Sequence, residues 1–96
     1  MIKKIASKTT EDIFNGINSK NARKLPSELH GKARRLLDQL NAAPSLEFMK
    51  IPPGNMLEPL LGDKKGYWSI RINIQWRIMF TWETDSPSDV EIIDYH

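Results

Sequence analysis

Apolar side chains return along this chain in two rhythms. Leu29, Ala33, Leu36, Leu37 and Leu40 recur at helical spacing, while Lys32, Arg34, Arg35 and Asp38 fall mostly on the other face. The spacing predicts a helix that begins near Pro26 or Ser27, because proline suits a first helical position and serine an N-cap. It should stop before Pro44, since the residue ahead of a proline avoids helical geometry. A shorter helix is predicted around Ile13, Phe14 and Ile17, capped by Thr9 or Thr10 and weakened by Gly16 and Asn18. Residues 2–7 suggest a short first strand, and residues 18–24 a polar connector.

The rhythm then changes to period two. Trp68, Ile70, Ile72 and Ile74 alternate with Tyr67, Ser69, Arg71 and Asn73; Trp76, Ile78, Phe80 and Trp82 alternate with Arg77, Met79 and Thr81. Such alternation is that of a half-buried sheet. A tight turn around Asn73–Gln75 makes the two runs an antiparallel hairpin. A polar loop, residues 84–89, leads to a last strand over residues 90–93. Between helix and hairpin, Pro52, Pro53 and Gly54 mark a loop. Met56, Leu57, Leu60 and Leu61 form an apolar patch, and residues 62–66 form a turn with a glycine at each end.

Helices first and antiparallel strands after predict an α+β fold, with N-terminal helices packed on one face of a small, mainly antiparallel sheet. Trp68, Ile70, Ile72, Trp76, Ile78, Phe80 and Trp82 would face the core. Tyr67, Arg71, Asn73, Arg77 and Met79 would face outward. At 96 residues the chain is expected to be one domain with a modest core.

Composition removes several chemistries. No cysteine is present, which excludes disulfides, thiol nucleophiles and thiolate-bound zinc. Two histidines, His30 and His96, are too few for a histidine-rich metal site; His30 beside the helical stripe reads as structural or surface. No cofactor is predicted. No run reaches the roughly 18 apolar residues of a membrane span, and the basic N-terminus lacks a signal-peptide core, so a cytoplasmic protein is expected. The net charge of +2 is unevenly spread. Residues 1–50 carry 10 Lys and Arg against 5 Asp and Glu, and residues 51–96 carry 4 against 7. A basic half can attract a polyanion, or it can be a solvated helical face.

Residues 57–80, LEPLLGDKKGYWSIRINIQWRIMF, resemble the HigB branch of the RelE superfamily of bacterial type II toxins. The likeness rests on Gly62-Asp63, the run Trp68-Ser69-Ile70-Arg71-Ile72-Asn73 and the run Trp76-Arg77-Ile78 at the family's spacing. Asp94-Tyr95-His96 also stands where some members carry the same three residues. The resemblance implies a compact fold related to microbial ribonucleases. It implies an endoribonuclease that cuts mRNA in the ribosomal decoding site, partnered by a HigA-like antitoxin with a helix-turn-helix domain. DNA would be met only through that antitoxin.

Such cleavage needs a base to free the 2′-hydroxyl, a positive group on the phosphate and an acid for the leaving oxygen, without a metal. By resemblance Arg77 binds the phosphate, as a planar guanidinium can with two parallel hydrogen bonds. His96 takes the proton-transfer role that imidazole suits near neutral pH. Tyr95 can donate a hydrogen bond or stack on a base, and Asp94 can orient either neighbour. In a straight strand Asp94 and His96 would share one face and Tyr95 the other, so the strand is expected to end or twist near residue 94. Three positions depart from the family. Glu58 stands where some members carry a catalytic histidine, and can itself accept the 2′-hydroxyl proton. Leu61 replaces a lysine. Ile74 also stands where aspartate is usual, which suggests a contact surface there. Lys64, Lys65 and Arg71, with Lys32, Arg34 and Arg35 on the helix, are candidate RNA-backbone contacts, which supply affinity rather than sequence choice. A catalytically weakened antitoxin-binding subunit and a generic basic RNA-binding module remain the alternatives.

Overall fold

The computed structural model describes residues 1–95. Two helices, α1 (Lys8–Phe14) and α2 (His30–Ala42), precede four strands: β1 (Glu58–Pro59), β2 (Trp68–Arg71), β3 (Trp76–Glu83) and β4 (Ser86–Asp94). All neighbours pair antiparallel, in the order β1-β2-β3-β4. The predicted α+β architecture is therefore the observed one.

The helical stripe enters the core as its spacing requires. Ala33, Leu36, Leu37 and Leu40 are buried against Ile70, Ile72, Ile78, Phe80, Val90 and Ile92 of the sheet. Trp68, Trp76 and Trp82 are half-buried and pack on the margin of this cluster. α2 ends at Ala42, two residues before Pro44. Its entry differs from expectation. Ser27–Leu29 form a separate 3-10 turn, and no side chain caps the helix that follows. His30 Nε2 instead bonds the Leu25 carbonyl at 2.8 Å, a structural role.

α1 is capped by Ser7, not by Thr9 or Thr10; the Ser7 hydroxyl accepts from the Thr10 amide at 3.2 Å. Thr10 is fully buried and serves the sheet, its Oγ1 accepting from the backbone N–H of Ile92 at 2.9 Å. Asp12, also buried, accepts from Ser19 Oγ at 2.5 Å and pairs with Lys8 at 3.2 Å. The Ser19 hydrogen bond, and then Lys8, hold its carboxyl below the usual range against the opposing effect of burial.

Residues 2–7 do not form a regular strand. They run parallel to β4 with one bridge, Ile5 to Val90. Three backbone hydrogen bonds hold them there: Lys3 N–H to Pro87 O, Val90 N–H to Lys4 O and Ala6 N–H to Val90 O. The polar loop predicted over residues 84–89 is also shorter than expected. Thr84 and Asp85 make a tight turn, with Thr84 left-handed at φ 56°, and β4 already begins at Ser86. Pro87 is tolerated because its outer neighbour is only the N-terminal segment, as prolines are on strands at a sheet margin. Between Met79 and Thr81 the register with β4 shifts, and Asp89 adopts φ 48°, a bulge that bends the strand.

The hairpin forms where predicted. Asn73 Oδ1 accepts from the amides of Gln75 and Trp76, both at 2.8 Å, which closes the turn. Strand β2 stops at Arg71, leaving Ile72 and Ile74 in the turn; Ile74 is 84% exposed. The face away from the helices is less open than expected, since Ser69 and Met79 on it are both buried. In the predicted apolar patch Leu60 is buried but Leu61 is 82% exposed.

Candidate active site

Strand register builds the site. Glu58, Ser69, Met79 and Glu91 lie side by side across the four strands. Two residues along each strand, and so on the same face, Arg71 stands directly opposite Arg77, which in turn pairs with Ile93. Like charges directly opposite one another disfavour a sheet unless an anion intervenes.

Glu58 supplies that anion in this structure. Arg77 Nη1 lies 3.0 Å from Glu58 Oε1 and donates to Ser69 Oγ at 3.3 Å. The Tyr95 ring covers the guanidinium, with its centroid 4.8 Å from Arg77 Cζ. The Arg77 side chain is 12% exposed and that of Glu58 43%. A cation so nearly withdrawn from water depends on its partners, because an unpaired buried charge is costly. Glu58 is the more exposed member and can leave toward solvent. Arg71 is half-buried and donates from Nη1 to Met56 Sδ at 3.2 Å.

The end of β4 separates two of the predicted residues. Asp94 pairs with Trp76 and so projects to the face opposite Arg77. Gln75 holds it there, donating from Nε2 to Asp94 Oδ2 at 3.2 Å. Tyr95, two residues beyond Ile93, returns to the Arg77 face, and its N–H donates to the Gln75 carbonyl at 2.6 Å. The strand does end at Asp94, as expected, but its alternation persists through that residue, so Tyr95 and not Asp94 meets Arg77. His96 lies outside the described residues.

The other predicted RNA contacts are dispersed. Lys64 and Lys65 are exposed in the turn between β1 and β2, at the Trp68 end of β2 rather than the Arg71 end. Lys32, Arg34 and Arg35 are exposed on α2, across the core from Arg77. Arg34 packs close over Gly16 and lines a cleft of about 220 Å³ with Ile13, Ile17, Asn18, His30 and Gly31. That cleft is on the helical side, whereas the charged and aromatic groups converge on the sheet. Among the described residues, no three His, Asp or Glu side chains are grouped to hold a metal ion, and no helix is long and apolar enough to cross a membrane.

Sequence reasoning misses Ser69 and Gln75. Period-two alternation does place Ser69 on the face of Arg71 and Arg77. Nothing in the sequence marks Gln75 as the residue that holds both Asp94 and Tyr95.

A family model described as RelE-like toxin of type II toxin-antitoxin system HigB matches residues 3–96. Toxin HigB-1 of Vibrio cholerae serotype O1 is 42% identical over 65 residues, 68% of each chain. Endoribonuclease HigB of Proteus vulgaris is 42% identical over 40 residues, 42% of this chain and 44% of that one. The solved YoeB-YefM complex from Staphylococcus aureus is similar with a TM-score of 0.62 and 21% identity, over 100% of this chain and 95% of that chain, a likeness of fold.

Proposed function

Because the chain belongs to the HigB-like family of RelE-like toxins of type II toxin–antitoxin systems, we propose that it is a ribosome-dependent endoribonuclease that cuts translated mRNA without a metal. The observation that carries this reading is the Arg77 guanidinium on the sheet, held by Glu58 and Ser69 and covered by Tyr95.

In the proposed reaction the scissile phosphate displaces Glu58 from Arg77. The carboxylate, now beside the substrate, takes the 2′-hydroxyl proton. The freed oxygen attacks the neighbouring phosphorus, and Arg77 neutralises the charge of the crowded intermediate, with Arg71 alongside. The bond to the 5′-oxygen breaks, that oxygen leaves with a proton from His96, and a 2′,3′-cyclic phosphate remains. Tyr95 stacks on Arg77 and presents its hydroxyl or ring to the RNA; Asp94, on the other face, orients the chain's last residues. Electrostatic stabilisation of the Arg77 kind is typically worth about 2.7–4 kcal/mol, or about 10²–10³ in rate. Lys64 and Lys65, and the α2 cluster Lys32, Arg34 and Arg35, contribute backbone affinity only.

Membership of a toxin–antitoxin family supports a protein antitoxin as partner, for which we propose a HigA-like helix-turn-helix protein, with action in the cytoplasm. Induced expression should arrest growth, and primer extension should map cuts within translated messages. Arg77→Ala and deletion of His96 should each relieve the growth arrest and slow cleavage about 100-fold or more. Full toxicity in both variants would refute the site. A non-toxic wild-type chain that still binds its antitoxin would favour a catalytically weakened binding subunit instead.

A further inference from the structure

We propose that Ser69 is a positioning residue for cleavage, holding the Arg77 guanidinium in place when substrate removes Glu58. The inference rests on the phosphate-binding role of Arg77 proposed above. In this structure Nη1 of Arg77 has two oxygen partners, Glu58 Oε1 at 3.0 Å and Ser69 Oγ at 3.3 Å. They differ in what they can do. The Glu58 side chain is 43% exposed and ionic, so an incoming phosphate competes with it directly. Ser69 has no exposed surface. It cannot touch RNA, and it has no access to solvent into which to turn.

Its place in the sheet makes it a fixed point. Ser69 sits within β2, between Glu58 of β1 and Met79 of β3. Arg77 enters from β3 two residues before Met79, opposite Arg71, so its long side chain runs diagonally across to β2 to reach the hydroxyl. A long side chain has many rotamers, and phosphate binding that demands a fixed fork loses rate when they are free. The Tyr95 ring limits motion away from the sheet. The Ser69 hydroxyl limits motion along it.

The test is cleavage of a defined mRNA in a reconstituted translation reaction, at single turnover with enzyme in excess. Ser69→Ala removes one oxygen and adds no atom, so packing is retained, and circular dichroism checks the fold. One hydrogen bond of this kind predicts a three- to tenfold lower maximal rate, roughly, with the half-saturating concentration unchanged. The same substitution made in Arg77→Ala should add no further loss. An unchanged maximal rate in Ser69→Ala, or an equal loss with and without Arg77, would overturn the inference. Full cleavage by Arg77→Ala alone would instead sink the proposed phosphate role on which it depends.

Discussion

Thr10→Val tests how the N-terminal helix supports the strand that carries Tyr95. Valine has the shape of threonine, so the core volume is kept and only the hydroxyl is lost. Thr10 is fully buried, and its Oγ1 is the acceptor for the Ile92 amide at 2.9 Å, across 82 residues of sequence. The antiparallel partners of β4 lie on its other side, and the N-terminal segment serves Val90 and Pro87 but reaches no further. Without the hydroxyl the Ile92 N–H is therefore buried with no acceptor, at a cost of about 1–3 kcal/mol. The added methyl contact offsets part of this, on the order of 0.8 kcal/mol. A net loss of about 0.2–2.2 kcal/mol corresponds to a fall in Tm of roughly 1–18 °C for a chain of this size. Thermal unfolding measures the total, and amide exchange at Ile92 locates it. Thr10→Ser keeps the acceptor and should preserve Ile92 protection even though it loses a methyl. A Thr10→Val protein with wild-type Tm and a fully protected Ile92 amide would refute the account.

Three further substitutions probe charge and backbone. The Asp12 carboxyl is held low in the folded state by Ser19 and then Lys8, so its contribution to stability is full above its ordinary pKa of 3.8. That contribution disappears as pH falls below this value through the lower folded one. Asp12→Asn should therefore be less stable than wild type at neutral pH and converge with it on acidification; parallel urea midpoints from pH 7 to pH 3 would contradict this. Gly16 has φ +72°, and a Cβ there would lie 2.9 Å from Arg34 Nη1, so Gly16→Ala should lower stability by about 1 kcal/mol or more. Gly31 lies near the start of α2, where an added methyl group would meet nothing within 4 Å. It should accept alanine with a gain of a few tenths of a kcal/mol, roughly. Equal melting temperatures for the two alanine variants would count against both.

The parts of the fold legible in the sequence are those fixed by local chemistry. The α2 stripe and the two alternating runs each contain the whole signal for their element, and Asn73 carries the turn between them. Thr10 misleads because threonine near a helix start has a local use, capping, that its sequence neighbourhood suggests; its hydroxyl does meet that of the cap residue Ser7 at 2.8 Å, but its partner on the sheet, the Ile92 amide, is set by tertiary packing. Pro87 reads as loop because the compatible place for a proline, beside a margin with one irregular neighbour, exists only once the sheet is assembled. β1 escapes detection because two residues carry no periodicity. The site inherits these limits. Arg77 can be singled out by its motif and by alternation, but its partners come from three other strand regions. Tyr95 and Asp94 can be named, while which of them faces Arg77 depends on the pairing of Ile93 with Arg77.

The departure at Glu58 takes on a definite meaning in this geometry. A glutamate left at a loop edge would serve only solubility. Here it stands on a paired strand, in register with Ser69, and its carboxylate reaches Arg77 at 3.0 Å. The same contact has two consequences on the proposed mechanism. Before substrate arrives, the carboxylate offsets the charge of a guanidinium that is mostly shielded from water and stands opposite Arg71. When a phosphate takes its place, the displaced carboxylate is adjacent to the nucleotide whose 2′-hydroxyl must lose a proton. A histidine at this position would have to act as a base without first serving as the counter-ion of the arginine. On the proposed mechanism, glutamate at this position therefore sets the resting state of the site, and it leaves a proton acceptor where the proposed reaction requires one.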